Sequence, residues 1–548
     1  MQSIKLILKA FSPRERFLLS VFSSFFLITL IAISALTIQE KSVYVPVQGG
    51  VYAEGVIGQP IMINPVLSDN QTDQDLSALL FSNIFDLLSD TKPSEDGREY
   101  TVKLKQDLMW DDGKSLTSDD LLFTIQTIQN PASRSPLAKD WQGVSVERVS
   151  QLQVNFSLPT PYVFFIENLK RTRIIPKHIF GAVPVENITL SSYNLEPIGN
   201  GPYKFESFSK RKDGFITEYN LIPNPLFSGT PSYIERFSFR FYTTLEELAK
   251  DLKLRRVQGF GNTLPVSTEI ENLPRTITEA VAMPRYYAIF MNAVNNPILK
   301  DKNLRMALAM TIDKEKIIKE VFRGNARAIT SPVFSELTSL EQASQQATSS
   351  PQGILYDPET AARTIASLKT KNIVLNLVIP EIPFLEKTAE SIKEDWLAAG
   401  IQEVNIFPLD ITVLTNDAIK TRNYDLLLFG NIYENPGDLF PFWHSSQRFY
   451  PGLNLSLYQS TEADKLIEAV RQKNDIGAQQ ESLRRLNGLI MSDAPATFLF
   501  STPYFYTHTT NLGGFTPGFI TTPSDRFRNV ESWYVTKARV LKNEAIDK

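Results

Sequence analysis

The feature that most constrains this chain is an uncharged apolar run, Phe17–Ile38, close to its N-terminus. As a helix the run would be about 33 Å long, and a bilayer core is about 30 Å thick. Four of the sixteen residues before it are basic and one is acidic, so this flank should stay in the cytoplasm. The sequence therefore predicts a cytoplasmic segment 1–16, a transmembrane helix 17–38 and a body outside the cytoplasm.

A cleaved signal peptide is the alternative to an uncleaved anchor. Signal peptides normally have an apolar core of about 7–15 residues, which is shorter than this run. Ala32 and Ser34 are small residues before a possible cleavage at Ala35, but no A-x-A pattern is present. The uncleaved anchor is therefore favoured, and under both alternatives the body is exported.

Composition excludes several classes of function. The chain has no cysteine, which excludes disulfides, thiolate nucleophiles, zinc ribbons, iron–sulfur clusters and a lipid-modified N-terminal cysteine. Only three histidines occur among 548 residues, so we expect neither a metal nor a cofactor. The net charge of −4 comes without a clustered basic region, and we therefore expect no nucleic-acid partner. A chain of this length exceeds what one core usually supports, which favours two or three lobes.

The body alternates strand-like and helix-like segments, the pattern of an α/β chain. In the first half, Tyr100–Leu104 alternates like a strand, and Thr117–Gln129 has the capping pair and apolar face of a helix. In the second half, Asp313 is placed to cap a helix, and Thr388–Ala399 is amphipathic. Tyr424–Phe429 is a continuous apolar run suited to a buried central strand.

Two segments are predicted to be irregular. Residues 43–58 are spaced with proline and glycine, as in a short linker that enters a first strand. The polar stretch 339–353 is predicted to be a solvated loop.

No catalytic signature is present in the sequence. The motifs G-x-S-x-G, H-E-x-x-H, G-x-x-x-x-G-K-[ST] and strand-linked G-x-G-x-x-G do not occur. Adjacent acids such as Asp111–Asp112 are more often solvated turns than catalytic pairs, and a following glycine strengthens the turn signal. We therefore expect no catalytic residue, and a binding protein rather than an enzyme.

An aromatic and acidic segment follows the predicted central strand. Residues 431–450 combine Tyr433 and Trp443 with Glu434 and Asp438. Ligand crevices form at the carboxyl ends of strands in open α/β sheets, and they are lined by aromatic and a few polar groups. The alternative is that these aromatic rings only pack on their own lobe.

Several motifs resemble those of one bacterial family, in its order and spacing. The most specific is residues 100–125, where a strand is followed by WDDGKSLTSDD and a helix. Residues 197–203 (PIGNGPY) and 224–231 (NPLFSGTP) are similar to further motifs of the same family. The chain resembles the bacterial extracellular solute-binding proteins of family 5, the dipeptide, oligopeptide and nickel-complex binders.

The resemblance implies an α/β, two-lobed periplasmic-binding-protein-like fold of the large cluster C type, with an inserted subdomain and one N-terminal transmembrane helix. The two lobes would be joined by crossing strands near Met283–Arg285 and Ser501–Tyr504. The implied segments are a linker 39–51, a first lobe 52–285 with its subdomain at about 86–196, a second lobe 286–500, and a C-terminal return to the first lobe with a tail, 501–548.

The resemblance also implies a ligand site between the lobes, which close over the ligand by a hinge motion. Peptide-binding members carry an aspartate that pairs with the α-amino group of the ligand, and the matching position here is Ile432. A buried ammonium needs a countercharge, so either Glu434 or Asp438 replaces that aspartate or the ligand has no free amine there. The ligand-binding residues implied in this way are Asp69, Asn431, Tyr433, Glu434, Asp438, Trp443 and Tyr504.

The function implied by the resemblance is that of the extracytoplasmic substrate-binding component of an ABC importer. Such a component would capture peptides or a similar small polar solute and deliver them to the ABC permease subunits. It would act as a monomer at the bacterial cell membrane, held by its N-terminal helix. The alternative is a membrane-anchored sensor or scaffold of the same fold that binds a solute without transport.

Overall fold

The N-terminal apolar run forms one continuous helix. The computed structural model describes residues 12–265, 267–333, 353–435, 437–472 and 475–541. Helix α1, Pro13–Lys41, is capped by the side chains of Ser12 and Glu15 and has proline at its first position. Among the described residues it is the one helix long and apolar enough to cross a membrane, and the large apolar side chains described from Phe17 to Leu36 are exposed.

The described strands form four sheets. The strands are β1 Ser42–Pro46, β2 Val51–Ile57, β3 Leu88–Pro93, β4 Glu99–Leu104, β5 Ser145–Ser150, β6 Gln153–Ser157, β7 Tyr203–Lys210, β8 Ile216–Pro223, β9 Arg236–Tyr242, β10 Gly259–Asn262, β11 Thr276–Val281, β12 Arg285–Met291, β13 Arg327–Ala328, β14 Val374–Pro380, β15 Glu403–Leu409, β16 Leu426–Ile432, β17 Ala496–Ser501, β18 Tyr504–Thr509 and β19 Lys537–Leu541. A seven-stranded sheet has the order β11-β18-β10-β2-β9-β8-β7, and a six-stranded sheet has the order β13-β17-β12-β16-β14-β15. A four-stranded antiparallel sheet, β3-β4-β6-β5, and a two-stranded ribbon, β1-β19, complete the set.

Helices cover these sheets. After α1 they are α2 Gln71–Leu80, α3 Ser118–Gln129, α4 Phe165–Arg171, α5 Lys177–Phe180, α6 Leu245–Lys253, α7 Thr268–Glu271, α8 Lys302–Met310, α9 Lys314–Phe322, α10 Pro358–Ser367, α11 Pro383–Ala398, α12 Ile411–Val413, α13 Phe440–Trp443, α14 Thr461–Gln472 and α15 Ile476–Asp493. Both large sheets contain strands connected through a helix, β9–α6–β10 in one and β14–α11–β15 in the other, which confirms the α/β class.

Three locally encoded elements are confirmed. Thr117 and Asp120 form the predicted capping box of α3, and the backbone N–H of Thr117 donates to the Asp120 carboxylate at 2.9 Å. Asp313 caps α9 by accepting from the backbone N–H of Lys316 at 2.9 Å. Strand β4 contains the predicted run Tyr100–Leu104.

Two other elements have different bounds from those predicted. Helix α11 begins at Pro383 rather than Thr388, because proline fits the first turn of a helix and starts it earlier. Strand β16 begins at Leu426, two residues later than predicted. Tyr424 lies outside the strand because Arg422 has a left-handed backbone (φ 60°), and the Tyr424 hydroxyl donates to the carbonyl of Leu455 at 2.6 Å.

Residues 42–46, predicted as part of a linker, form strand β1 instead. They pair antiparallel with β19 at the other end of the chain, Ser42 opposite Leu541 and Pro46 opposite Lys537. A partner so distant in sequence leaves no local signal, which explains the difference. Of the predicted loop 339–353, only Gly353 lies within the described residues.

Each lobe has its own core. In the first lobe, one buried cluster joins the seven-stranded and four-stranded sheets and includes Tyr52 and Phe156. In the second lobe, two clusters lie on opposite faces of the six-stranded sheet, and successive residues of β16, from Leu426 to Leu428, alternate between them. These three leucines are fully buried, which confirms the predicted central strand. Separate cores leave the lobes free to move as units.

A buried ion network closes the first lobe. The Arg526 guanidinium contacts the Glu54 carboxylate at 2.9 Å and the Asp75 carboxylate at 2.6 Å, and these three side chains are at most 3% exposed. The Tyr506 hydroxyl also donates to Glu54 at 2.7 Å. Burial raises the pKa of Glu54, an effect that Arg526 opposes. The network holds the C-terminal segment against β2 and α2.

Replacing Arg526 with methionine should destabilise the protein by about 3–5 kcal/mol, because two buried carboxylates lose their cation. The measurement is the midpoint of urea unfolding of the full chain in detergent, followed by tryptophan fluorescence. Arg528→Met is the control, since Arg528 forms a half-exposed pair with Asp525 at 3.5 Å and such a pair contributes about 0–1 kcal/mol. Equal midpoints for the two variants would contradict the role given to the network.

Candidate ligand-binding cleft between the lobes

The chain crosses between the two large sheets twice, through short segments. Residues 282–284 connect β11 to β12, and residues 502–503 connect β17 to β18. These are the places where crossing strands were expected. Arg285, the first residue of β12, donates from Nη2 to the Thr263 carbonyl at 2.9 Å and to Thr502 Oγ1 at 2.5 Å. One side chain therefore holds both crossings together.

The Arg285 guanidinium is buried without full neutralisation. The residue is 6% exposed, and burial lowers its pKa. Its Nε has no hydrogen-bond partner within the described part of the chain, and no ion pair with a carboxylate is found for it there. Two other buried arginines differ: Arg526 is paired with two carboxylates, and Arg422 donates from Nε, Nη1 and Nη2 to carbonyls of Arg448, Ile419 and Gly452. Arg285 therefore keeps unused donor capacity.

Ile432 lies directly beside this arginine. In the antiparallel pair β12–β16, Arg285 stands opposite Ile432, so their side chains share one face of the sheet. Tyr287 is two residues further along β12 on the same face, with its ring 5.9 Å from the Arg285 Cζ. Ile432 is 40% exposed. A cation, a phenol and an apolar side chain thus meet at the point where the lobes are joined.

The lobes also touch at a second place, here called the rim, where α4 and its preceding loop on one lobe contact the segment after β16 and α14 on the other. The Tyr162 hydroxyl donates to Asp438 Oδ2 at 3.1 Å, and Arg471 Nε lies 3.3 Å from the same oxygen. The Arg471 guanidinium lies over the rings of Phe440 (4.3 Å) and Tyr162 (4.7 Å). The backbone N–H of Val163 donates to the Arg471 carbonyl at 2.9 Å. Arg471 therefore connects the two lobes through three interactions: a cation–π contact with Tyr162, a backbone hydrogen bond from Val163, and an ion pair with Asp438, which Tyr162 also contacts.

The Asp438 carboxyl is deeply buried in this contact. It is 5% exposed, and burial raises its pKa although Arg471 and Tyr162 stabilise the charged form. The Arg471 contact is an ion pair by distance, but its Nε–H does not point at the carboxylate as a hydrogen bond requires. The lobes approach so closely here that a Cβ on Gly437 would lie 2.8 Å from the Phe164 ring.

A second ion pair stands at the rim. Arg171, the last residue of α4, donates from Nη1 to Glu434 Oε2 at 2.8 Å and from Nη2 to Asp140 at 3.2 Å. The Glu434 side chain is 65% exposed, so this pair is weaker than the buried contact of Asp438. Both acids considered as partners of a ligand amine are thus already paired with arginines.

The aromatic residues predicted for the site lie mainly inside the second lobe. Trp443 is 1% exposed, and its Nε1 donates to the Tyr433 hydroxyl at 3.4 Å. Asn431 donates from Nδ2 to the Tyr286 hydroxyl at 3.1 Å. The structure therefore brings Asn431, Tyr433 and Trp443 together as the packed support of the segment that carries Glu434 and Asp438.

Asp69 and Tyr504 belong to the first lobe. Asp69 is exposed in the loop before α2. Tyr504 begins β18, with its ring 5.7 Å from the Arg526 Cζ, and burial raises its pKa.

Sequence reasoning missed four residues of this region: Arg285, Tyr162, Arg171 and Arg471. The run PTPYVFF, residues 159–165, places three aromatic residues after two prolines. This pattern could have indicated an aromatic loop and so pointed to Tyr162. The arginines have no local signal, because their partners lie far away in sequence. Within the described ranges, no group of three or more histidine, aspartate and glutamate side chains could hold a metal ion.

Two α/β lobes with separate cores, joined by two crossings and touching at a charged rim, define a two-lobed binding protein. A family model for the bacterial extracellular solute-binding proteins, family 5 Middle, matches residues 84–449. The chain belongs to this family, which confirms the resemblance and the fold class. Members of the family bind solutes and are not enzymes, so the chain is a binding protein.

Curated relatives and solved structures agree with this assignment. The oligopeptide-binding protein AppA of Bacillus subtilis is 26% identical over 543 residues, which cover 91% of this chain and 94% of the relative. The dipeptide-binding protein of Escherichia coli is 23% identical, with 82% and 88% covered. The substrate-binding protein CtaP of Listeria monocytogenes superposes with a TM-score of 0.77 at 25% identity, and the match covers 89% of this chain and 99% of that structure.

Removing the Arg471 charge should open the rim. Arg471→Met leaves the buried Asp438 without its cation, at a cost of about 3–5 kcal/mol to the closed arrangement, or more than about a hundredfold in its population. The measurement is the distance between spin labels on Leu190→Cys and Ile476→Cys, which are exposed positions on the two lobes of a chain without cysteine. The distance distribution should become longer and broader.

Arg485→Met is the matched control for this experiment. Arg485 pairs with Glu462 at 3.1 Å on the surface of the second lobe, and neither residue contacts the rim. This variant should keep the parent distance distribution. If Arg471→Met also kept it, the rim contact would have no part in holding the lobes together.

Proposed function

We propose that this protein is the substrate-binding component of an ABC importer and captures peptides or a similar small polar solute between its lobes. The observation that carries the proposal is the pair of separate cores joined by two short crossings and closed by a charged rim. Relatives named as oligopeptide-binding and dipeptide-binding proteins support the peptide class. Delivery to ABC permease subunits is supported by CtaP, which is named as an ABC transporter substrate-binding protein, and this similarity favours import over a sensor or scaffold.

The proposal includes the position of the protein at the membrane. Helix α1 would remain attached as an anchor, with residues 1–16 in the cytoplasm and the two lobes outside, acting as a monomer. The two lobes keep in this proposal the bounds expected from the sequence, with a first lobe 52–285, a second lobe 286–500 and a C-terminal return.

Native mass spectrometry of the full chain, released from detergent micelles, tests the capture of peptides. We expect a bound mass that dissociates on collisional activation and that fragments as a peptide. Cleaved peptide products would contradict a binding protein. A panel of short and long peptides that never shifts the mass of the protein would contradict the peptide class.

The end of the cleft near the crossings has a charge opposite to that needed for an ammonium group. Arg285 offers unused donors beside Ile432, whereas Glu434 and Asp438 are paired with arginines. An anionic group would complete the hydrogen bonds of a buried guanidinium, and an ammonium there would have no countercharge. We therefore assign the carboxylate of the ligand, rather than a free amine, to this end. Asp69, Glu434, Asp438 and Tyr504 would shape the rest of the cleft, supported by Asn431, Tyr433 and Trp443.

Paired peptides test this assignment. A peptide with a free C-terminal carboxylate should bind about 10- to 100-fold more tightly than its C-terminal amide, because a hydrogen bond to a charged group contributes about 1.5–3 kcal/mol. N-terminal acetylation should change the affinity little. The measurement is isothermal titration calorimetry on the full chain in detergent.

Arg285→Gln should remove the preference for the carboxylate and keep the affinity for the amide. Ile432→Val, which keeps an apolar side chain opposite Arg285, is the control and should keep the preference. A strong preference of the unaltered protein for a free amine would instead show that Glu434 or Asp438 exchanges its arginine for the ligand.

A further inference from the structure

The N-terminal helix leads into the body without a linker. Helix α1 ends at Lys41, and strand β1 begins at the next residue, Ser42. The uncharged run ends at Ile38, so a continuous helix would place Ser42 only about 6 Å beyond the apolar core of a membrane. Headgroup layers extend a bilayer from about 30 Å to 40–45 Å, which is about 5–7 Å on each side. The start of β1 would therefore lie at the outer edge of the headgroup layer.

Strand β19, which pairs with β1, brings Leu541 to the same distance from the membrane as the start of β1. Leu541, the last residue of β19, stands opposite Ser42, and Val540 stands opposite Val43. The ribbon is also joined firmly to the first lobe. The backbone N–H of Val47 donates to the Thr536 carbonyl at 3.2 Å, and that of Gly49 donates to the Tyr233 carbonyl at 2.8 Å. The ribbon therefore cannot shift far without the lobe.

The exposed side chains of the ribbon suit a membrane surface. Tyr44 is 63% exposed, Leu541 is 50% exposed and Val43 is 39% exposed, although each is apolar or aromatic. Neither strand contains an acidic residue, and β19 carries Lys537 and Arg539. Tyrosine is enriched at membrane interfaces, and basic side chains near the surface are attracted to anionic lipid.

We propose that the base of the β1–β19 ribbon rests at the outer edge of the extracytoplasmic headgroup layer and contacts anionic lipid, and that it thereby fixes the first lobe against the membrane. The inference rests on the proposed anchor, because a cleaved helix would release the ribbon. The partner is the lipid surface itself: the apolar side chains beside Ser42 and Leu541 meet the headgroup layer, and Arg539, which stands opposite Tyr44, meets the lipid phosphates. Lobe 2 then remains the part that is free to move relative to the membrane.

Single labels on the full chain test the proposal, because the protein has no cysteine of its own. An environment-sensitive fluorophore is attached to Val43→Cys or Leu541→Cys, and the protein is placed in nanodiscs of phosphatidylcholine and phosphatidylglycerol. We expect a blue-shifted emission and several-fold weaker quenching by aqueous iodide than for labels at Ile476→Cys or Leu190→Cys. These two control positions are 71% and 81% exposed on the lobes and should behave as in water.

A label at Leu27→Cys, in the middle of α1, separates failure of the inference from failure of the anchor. If this label is shielded by lipid while labels at 43 and 541 are quenched like that at 476, the ribbon does not touch the membrane and the inference is wrong. If the label at 27 is itself fully quenched, the anchor is wrong, and the inference falls with it. If the labels at 27, 43 and 541 are shielded and those at 190 and 476 are freely quenched, the result supports both the anchor and the contact of the ribbon with the membrane.

Discussion

The two lobes are connected only by short segments and a few contacts of the described residues, and the proposed function depends on this weak connection. The buried clusters of the described residues lie within one lobe or the other, so the connection consists of residues 282–284, residues 502–503 and the rim. A hinge of this kind absorbs motion in a few backbone angles while the packed cores stay rigid. Arg285 follows one crossing and donates hydrogen bonds to Thr502 in the other and to Thr263 after β10, so this side chain limits the hinge, and in the proposed function it also binds the ligand.

Three buried arginines differ in how the hydrogen-bonding and charge requirements of the guanidinium group are met. Arg526 is neutralised by Glu54 and Asp75 and stabilises one lobe, whereas Arg422 is satisfied by backbone carbonyls alone. Arg285 has neither arrangement in full, and a partly satisfied guanidinium in a buried place is costly unless another group completes it. This comparison supports the proposed position of a ligand carboxylate at Arg285, whereas the acidic Asp438 of the nearby loop is already bound by Arg471.

Much of the fold could be predicted because its signals are local. The capping pair of Thr117 and Asp120 and the apolar run of β16 depend on residues a few positions apart, and both elements form. Strand β1 could not be predicted, since its partner lies at the opposite end of the chain. The candidate site was less predictable for the same reason: the sequence drew attention to the segment after β16, but Tyr162 and Arg471, which bind its Asp438, come close only in the folded protein.

The order of strands in the first lobe has a consequence for the synthesis of the protein. Strand β18 lies inside the seven-stranded sheet, between β11 and β10, and the chain reaches it only after the whole of lobe 2. Arg526 follows later still, so Glu54 and Asp75 cannot form their ion pairs with it until that segment has left the ribosome. Domains generally fold as units while the chain grows. Lobe 2, although second in sequence, is therefore the first lobe that can complete its core during translation and export, and lobe 1 is finished around it.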